Sequence, residues 1–477
     1  MRPRRNPWGP VETKMALLSL PKKGVQQIDD TIFALSSGVL PSAVAVVRIS
    51  GPRAAEALRA LIGRLPEARR AVLARVRDPQ TAESLDQALA LWFPGPASET
   101  GEDMAEVQLH GGRAVVAAVF AALRKFEGMR LAEPGEFTRR AFEHGRLDLT
   151  RIEALADLIY AETEAQRQQA FRHMQGLLGD RAERWRQTLI EAMALVEAAI
   201  DFPDEGDVPT DLLQPALNIA ASLRQDIEQT LATSVRGERL REGITVAIAG
   251  PPNVGKSSLL NRIAQREASI VSSAPGTTRD VIEVHLDLAG FPVTVLDTAG
   301  IHDSSEPVEQ EGIRRARTRA ARADLVLWVT DPSSRIAEPD PSAVTDGKAL
   351  WLITNKCDLL SGVELELLGA QQTASSHFAI SAKSGLGVEQ LLNELANFAR
   401  FYFKPSEPAL VTRQRQRQIL QDAEGALRRA VSEGAQGREE VVAEELRAAS
   451  HALGRLVGRV DVEDVLDAIF RDFCIGK

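Results

Sequence analysis

The residues with the clearest chemistry form a glycine-rich loop near the middle of the chain. Residues 250–257 read Gly-Pro-Pro-Asn-Val-Gly-Lys-Ser, which is the GxxxxGK(S/T) spacing of a P-loop. In such a loop backbone N–H groups converge on phosphates, Lys256 reaches the β and γ oxygens, and the Ser257 hydroxyl ligates Mg²⁺. Residues 244–249 read as a buried strand before the loop, and 258–263 read as the start of a helix after it. This context predicts a nucleoside triphosphate site.

Two motifs that follow the P-loop add groups around the phosphates. Residues 297–300 read Asp-Thr-Ala-Gly after an apolar run. There Asp297 can hold Mg²⁺ through water, and the Gly300 N–H can sense the γ-phosphate. Residues 276–280 read Gly-Thr-Thr-Arg-Asp, in which Thr278 is placed to complete the Mg²⁺ shell.

Two later motifs predict guanine as the base. Residues 355–358 read Asn-Lys-Cys-Asp after a strand-like run, and 381–383 read Ser-Ala-Lys. The Asp358 carboxylate can accept hydrogen bonds from the guanine N1–H and exocyclic amine, a pair that adenine does not offer. With these five motifs in order, residues 243–400 resemble the TRAFAC GTPases. The residues expected to contact GTP are Asn253, Val254, Gly255, Lys256, Ser257, Ser258, Ser272, Ser273, Ala274, Pro275, Gly276, Thr277, Thr278, Asp297, Thr298, Ala299, Gly300, Asn355, Lys356, Asp358, Ser381, Ala382 and Lys383.

The motifs alone leave open which residue positions the attacking water. Ras-like GTPases use a glutamine after the DxxG motif, but Ile301 stands at that position and cannot orient water. The alternatives just downstream are His302, Asp303, Glu306 and Glu309. No arginine finger is readable, and a potassium ion near Asn253 and loop 272–277 is one way to neutralise the developing charge.

Composition predicts a folded protein with several domains. The chain has 477 residues, of which 44% are hydrophobic and 26% are charged. Its two cysteines, Cys357 and Cys474, lack metal-ligand spacing and fit a reducing cytosol. The longest near-continuous apolar stretch, 114–123, is about half of a membrane span, so we expect none. A net charge of −9 argues against a general nucleic-acid coat but permits a local RNA-binding patch.

Five segments of the chain differ in composition and in predicted secondary structure. Residues 1–29 combine arginine, lysine and proline without periodicity, and they are a transit peptide, a disordered extension or the product of an early start site. Residues 30–146 predict an α/β domain, and 147–242 and 401–477 are helical. Residues 243–400 alternate strands and helices as a parallel sheet does. The simplest interpretation is a G domain inserted into an all-helical domain whose halves flank it.

Short motifs along the whole chain carry a closer resemblance. The last five residues, 473–477, read Phe-Cys-Ile-Gly-Lys. The other motifs are Asp30-Thr-Ile-Phe-Ala34, Val47-Arg-Ile-Ser-Gly51, Leu91-Trp-Phe-Pro-Gly-Pro96, Gly101-Glu-Asp103, His110-Gly-Gly112, Pro134-Gly-Glu-Phe137 and Glu197-Ala-Ala-Ile-Asp-Phe-Pro-Asp204. With these motifs in one order, residues 30–477 resemble the MnmE (TrmE) family of tRNA modification GTPases.

The resemblance implies an activity and partners. The N-terminal domain is expected to be similar to folate-binding aminomethyltransferase domains and to form a homodimer. A heterotetramer with the flavoprotein MnmG (GidA), which alone carries FAD, is expected to act in the cytoplasm. The pair would add an aminomethyl or carboxymethylaminomethyl group to C5 of the wobble uridine in certain tRNAs. A tetrahydrofolate derivative (5,10-methylene or 5-formyl form) would donate the carbon, and GTP hydrolysis with potassium-dependent pairing of G domains would drive the cycle.

The resemblance also implies roles for single residues. The implied folate-site residues are Arg48, Glu106, Arg146 and Lys477, with lysine replacing Arg146 in other members. The implied K⁺ ligands are Asn253, Ser272, the Ala274 carbonyl and Thr277, and the Mg²⁺ ligands are Ser257 and Thr278. Glu309 matches the acid that orients the water, so the expected catalytic residues are Glu309, Lys256 and Thr278. His302 stands where another member has arginine.

Other functions compete with this interpretation. A ribosome-assembly GTPase uses the same P-loop, but usually adds a basic RNA-binding module that is not readable here. A folate-dependent aminomethyltransferase would not need five GTP motifs, and a membrane-associated GTPase would carry a lipidation signal or a basic anchor. The basic stretch at Arg413, Arg415 and Arg417 is either an RNA contact or a solvated helix face.

Overall fold

In a computed structural model, the chain forms two compact units. The described residues are 30–201, 212–251, 253–267, 283–297, 323–332, 349–360, 376–403, 409–460, 465–466, 469–470 and 476. The described residues of Met1–Leu147 and Phe470–Lys477 form the first unit, and those of Asp148–Ile469 form the second. The five-segment division stays a prediction, and the end of the chain, predicted within the last helical segment, groups with the first unit.

The first unit is built on a mixed sheet. Its described strands and helices are β1 (Thr31–Leu35), β2 (Ser42–Ser50), α1 (Ala54–Ile62), β3 (Val72–Arg77), β4 (Ser84–Phe93), β5 (Met104–Gly111), α2 (Arg113–Leu123), β6 (Met129–Leu131) and α3 (Glu136–Glu143). The strand order is β3-β4-β5-β2-β1-β6, and neighbours are antiparallel except β1 and β6.

Side-chain alternation along the strands decides what covers each face of this sheet. Phe33 of β1 joins the core formed with α1 and α2, whereas the adjacent Ile32 packs with Phe137 of α3. Leu73 of β3 and Leu89 of β4 are cross-strand partners, and both are exposed. One apolar part of the sheet surface is therefore uncovered within the unit.

Two residues from the end of the chain pack on this unit. Phe470 is buried against Gly135, where any side chain would collide with its ring. The Ser36 hydroxyl donates to the Gly476 carbonyl over 2.8 Å. Residue 476 therefore lies beside the end of β1, which explains why the terminus leaves the helical unit.

Some helices of the second unit form a core of their own, and others pack against its sheet. The described helices are α4 (Leu149–Ile159), α5 (Glu164–Met174), α6 (Leu177–Asp201), α7 (Leu213–Ala232), α8 (Ser234–Glu242), α9 (Lys256–Glu267), α10 (Val388–Tyr402), α11 (Gln414–Gly434) and α12 (Glu439–Val457). Trp185 and Leu189 of α6 share a buried cluster with Ile227 of α7, Leu420 of α11 and Leu453 of α12. Helices that precede the sheet in the sequence thus pack against helices that follow it. Among the described residues, no helix is long and apolar enough to span a bilayer.

The sheet of the second unit is mostly parallel. Its described strands are β7 (Ile244–Ala249), β8 (Glu283–Leu288), β9 (Phe291–Asp297), β10 (Leu325–Thr330), β11 (Ala349–Thr354) and β12 (His377–Ala379). The order is β12-β11-β10-β7-β9-β8, with only β8 antiparallel to its neighbour. Near-continuous apolar strands of this kind are covered on both faces. Because parallel strands end at one edge, the loop after β7, Asp297 at the end of β9 and the motif after β11 meet there.

A buried carboxylate joins helices that are far apart in sequence. The Glu153 side chain, 3% exposed, accepts from Arg415 Nε over 2.9 Å and Nη2 over 3.0 Å. Gln416 Nε2 donates to the same carboxylate over 2.7 Å. Burial alone would raise the pKa of Glu153, but the Arg415 charge and these hydrogen bonds hold it below its ordinary value. This pair fastens α4 to α11.

The basic stretch at the start of α11 differs from both sequence interpretations. Arg413 pairs with Asp157 at 2.5 Å, Arg415 with Glu153, and Arg417 with Glu238 at 3.1 Å. Internal carboxylates therefore neutralise all three arginines. They are neither a solvated helix face nor a free RNA contact, because the partners lie on helices that a linear sequence does not place beside them.

Replacing Glu153 by glutamine tests this buried pair. A lowered carboxyl pKa contributes stability above the unfolded value of about 4.3, and that stability is lost as pH falls through the folded value. We therefore expect Glu153→Gln to destabilise the second unit by about 3 kcal/mol at pH 7, with a difference that shrinks below pH 4. Thermal unfolding at both pH values measures it.

The matched control is Glu164→Gln, which breaks an exposed pair with Arg167. Solvent screens an exposed pair, so the unfolding midpoint should hardly move. Equal effects of the two substitutions would contradict the role given to the buried pair.

Candidate functional site

The loop between β7 and α9 has the backbone geometry of a phosphate-binding turn. Gly255 has φ +96°, and a Cβ there would collide with the Asn355 amide. Asn253 adopts φ 64°, a left-handed conformation that asparagine tolerates. Helix α9 begins at Lys256, so its first unpaired N–H groups face the loop. This arrangement suits an anion at the helix N-terminus.

Three side chains converge where the phosphates and Mg²⁺ of a nucleotide would lie. Lys256 Nζ donates to the Gly250 carbonyl over 2.9 Å and the Pro251 carbonyl over 2.7 Å. Burial lowers the pKa of this ammonium group, and the Asp297 charge opposes the shift. Ser257 Oγ donates to Asp297 Oδ2 over 2.6 Å. A hydroxyl and a carboxylate are hard oxygen donors, which fits Mg²⁺.

Asn355 connects the phosphate loop to the predicted base pocket. Its side chain is buried, with Nδ2 donating to the Val254 carbonyl over 2.8 Å. Its Oδ1 accepts from the Ala382 N–H over 2.9 Å. One amide therefore holds the P-loop and the 381–383 turn at a fixed separation.

Lys356 makes a second link between the two loops. Its φ is 61°, and its Nζ donates to the Asn253 carbonyl over 2.7 Å. Asp331, just after β10, pairs with the same ammonium group at 3.1 Å. The link orients the Lys356 side chain across the site.

The carboxylate predicted to read guanine is exposed and anchored. Ser381 Oγ donates to Asp358 Oδ1 over 2.6 Å. This hydrogen bond lowers the pKa of Asp358, while slight desolvation opposes the shift. The group is therefore a charged acceptor at neutral pH, as recognition of N–H donors on guanine requires.

Part of the predicted site lies outside the described residues. Those positions are Ser272, Ser273, Ala274, Pro275, Gly276, Thr277, Thr278, Thr298, Ala299, Gly300, Glu309 and Lys477. Their roles stay predictions, as do the contacts with GTP of Ser258 and Lys383. The described members, from Asn253 to Ser257 together with Asp297, Asn355, Lys356, Asp358, Ser381 and Ala382, lie at one edge of the sheet.

Sequence reasoning missed Arg262. This α9 residue donates from Nε to the Ala382 carbonyl over 2.8 Å, and its Nη2 donates to the Lys383 carbonyl. It therefore holds two carbonyls of the 381–383 turn, whereas Asn355 binds the Ala382 N–H of that turn. The sequence places Arg262 six residues after Lys256, in the helix that follows the P-loop. Only the folded structure shows that its side chain reaches the 381–383 turn.

A second predicted site lies on the sheet of the first unit. Arg48 of β2 and Glu106 of β5 are directly opposed, with Arg48 Nε donating to Glu106 Oε1 over 2.9 Å. Glu99 pairs with the same guanidinium at 3.0 Å. The sequence singled out Arg48 and Glu106 but not Glu99, whose loop position gave no periodicity to follow.

The other predicted members of that site approach it differently. Arg146 is exposed, and its side chain passes close to Gly101, in the loop that also carries Glu99. Gly476 lies beside Leu35, and β1 pairs Ala34 with Arg48. The residue before the predicted Lys477 is thus fixed near the strand that bears Arg48.

Replacing Arg262 by alanine tests its positioning role. Loss of both guanidinium hydrogen bonds should loosen the base-side turn and weaken binding of GDP about tenfold, or about 1.4 kcal/mol. Arg262→Lys should fall between, because an ammonium group does not reproduce the fork. A fluorescent GDP titration measures the change; Arg400→Ala, at an exposed α10 residue, is the control. An unchanged affinity in Arg262→Ala would contradict the role.

Comparison with known proteins matches both units. A model described as the MnmE helical domain matches residues 149–474, and one described as the GTP-binding protein TrmE N-terminus matches residues 31–146. The tRNA modification GTPase MnmE of Rhodopseudomonas palustris is 57% identical over 94% of this chain and 99% of its own. The protein of the same name from a Bradyrhizobium species is 56% identical with the same coverage.

A solved structure gives a weaker similarity. Era from Aquifex aeolicus, bound to GDP·AlF4⁻, is 24% identical over 38% of this chain and 66% of its own, with a TM-score of 0.26. That score is too low to add to the assignment. The near full-length relatives and both family matches confirm the resemblance predicted from the motifs. The chain belongs to the MnmE family of tRNA modification GTPases, and it is a GTP-hydrolysing enzyme with a role in tRNA modification.

Proposed function

We propose that the chain works with a FAD-containing partner of the MnmG type to modify the wobble uridine of certain tRNAs. The product is a uridine with an aminomethyl or carboxymethylaminomethyl group at C5, and a tetrahydrofolate derivative supplies the carbon. The observation that carries the folate part is the opposed Arg48–Glu106 pair, with Gly476 fixed beside the neighbouring strand. A site of mixed charge there suits a ligand with both N–H donors and carboxylates.

Chemical complementarity supports the folate site. A pteridine ring presents an amino group and ring N–H groups, which a carboxylate such as Glu106 accepts. The carboxylates of the folate tail suit the cations Arg48, Arg146 and Lys477. Side-chain exposures of 20% for Arg48 and 17% for Glu106 leave both groups within reach of a ligand. Arg146 keeps the positive charge of the lysine that other members have at this position. Its planar guanidinium can in addition bind a carboxylate through two N–H donors.

GTP hydrolysis is proposed to use the residues gathered at the second unit. Lys256 neutralises the β and γ oxygens, and Ser257 with Thr278 would hold Mg²⁺, which supplies charge stabilisation when bound. Asn253, Ser272, the Ala274 carbonyl and Thr277 would hold K⁺ in place of an arginine finger. Glu309 is proposed to orient the attacking water, because Ile301 lacks a polar group. His302 is given no role.

An exposed apolar surface supports the proposed homodimer. Leu73 is 61% exposed, Leu89 is 41% exposed, and Val44 on β2 is 50% exposed. Their burial by a second copy would remove this surface from water. The dimer, joined by two flavoprotein chains in a heterotetramer, is proposed to act in the cytoplasm, where the free buried thiol of Cys357 stays reduced.

Nucleoside mass spectrometry of bulk tRNA tests the proposal. Deleting the gene should remove the 5-aminomethyl-type uridines, and the wild-type chain should restore them. The Glu309→Ala chain should not restore the modified uridines, because GTP hydrolysis stops. The Arg48→Ala chain should not restore them either, because the proposed folate site loses its Arg48–Glu106 pair. Each should lower the modified fraction at least tenfold relative to wild type.

The matched control is Glu394→Ala, at an exposed residue of α10, which should rescue fully. Unchanged wobble uridines in the deletion strain would contradict the proposal. Altered ribosome profiles in that strain would then favour the alternative, a ribosome-assembly GTPase.

A further inference from the structure

The long hairpin formed by α11 and α12 carries a polar groove on its outer surface. The groove has a volume of about 510 Å³. Small residues, among them Gly425 and Ala452, line its floor. Because their side chains are short, the helix backbones lie close to the surface of the groove. Gln421, Arg428 and Arg455 stand around this floor, and all three are exposed. None of these residues belongs to the proposed GTP or folate sites.

Two of the groove arginines lack a close counter-charge. Arg428 is 68% exposed, and its ion pair with a described residue, Glu424, spans 4.0 Å. Arg455 forms no ion pair with any residue that the structure describes. By contrast, Arg429 is held by both oxygens of Glu445 at 2.8 Å. Positive charge is thus available at two positions of the groove, one on each helix.

One acidic residue, Asp422, lines the groove beside three arginines. Asp422 accepts from Gln418 over 3.0 Å, and Glu445 is paired with Arg429. The groove therefore presents local positive potential on a chain whose net charge is −9.

Guanidinium groups and glutamine amides around a shallow floor suit a sugar-phosphate backbone. Arginine binds phosphate oxygens through two parallel N–H donors, and RNA duplexes are read mostly through phosphates and 2′-hydroxyls. The arginines at the start of α11, which a sequence interpretation assigned to RNA, are neutralised by internal partners. The exposed cations further along the same hairpin are not.

We propose that the α11–α12 groove binds the phosphate backbone of the substrate tRNA through Arg428 and Arg455. The inference rests on the role in tRNA modification and adds a location to it. The groove holds the RNA by charge and shape, and the identity of the modified base is read elsewhere.

The test compares two double variants that remove the same charge. Arg428→Ala/Arg455→Ala removes the groove cations, and Arg64→Ala/Arg400→Ala removes two exposed arginines outside the groove. Binding of unmodified bulk tRNA to the full chain is measured over a salt series. The groove variant should raise the Kd about tenfold and lower the slope of log K against log salt by about 1.5 to 2, because two phosphate contacts are lost. The control variant should keep both values, and basal GTP hydrolysis should be unchanged in both.

Each other outcome overturns the inference. Equal affinity and slope in both double variants would show that the groove does not hold RNA. Normal tRNA binding with lost binding to the flavoprotein would identify a protein interface instead. If the wild-type chain has no affinity for tRNA although the deletion strain lacks the modification, the groove inference is wrong while the proposed function stands.

Discussion

The fold depends on a buried carboxylate, that of Glu153, whose partners lie about 260 residues further along the chain. Glu153 is enclosed between α4 and α11, and its carboxylate is matched by Arg415 and Gln416. An unpaired carboxylate in such a place would cost several kcal/mol. The helices before and after the G domain therefore have to close around each other, and the G domain must fold with its two ends held close together.

This closure extends to the sheet of the second unit through α8. The helix leads directly into β7, and its Arg241 pairs with Asp157 of α4 at 3.1 Å. Its Arg239 pairs with Asp324, which also accepts from the Thr245 N–H over 2.9 Å and the Tyr402 hydroxyl over 3.0 Å. These pairs bind α8 to the amino-terminal ends of β7 and β10, at the edge of the sheet opposite to the nucleotide motifs.

Sequence predicted the parts whose spacing is local. The P-loop, its flanking strand and helix, and the strands before Asp297 and Asn355 were readable, because apolar runs end at short motifs. Links made across the fold were not readable. Arg262, Asp331 and Glu99 have no motif of their own, and their partners are fixed only when separate loops meet. For the same reason, Arg413, Arg415 and Arg417 read as a surface stretch although internal carboxylates neutralise them.

Guanine recognition at Asp358 is proposed to drive tRNA modification, and a change of nucleotide tests this coupling. An asparagine at 358 offers an amide N–H to the C2 carbonyl of xanthine, where guanine carries an amine. In a reconstituted reaction with the flavoprotein partner, Asp358→Asn should fail to modify tRNA with GTP and should recover with XTP. Continued modification with GTP, or XTP hydrolysis without modification, would contradict the coupling of guanine recognition to modification.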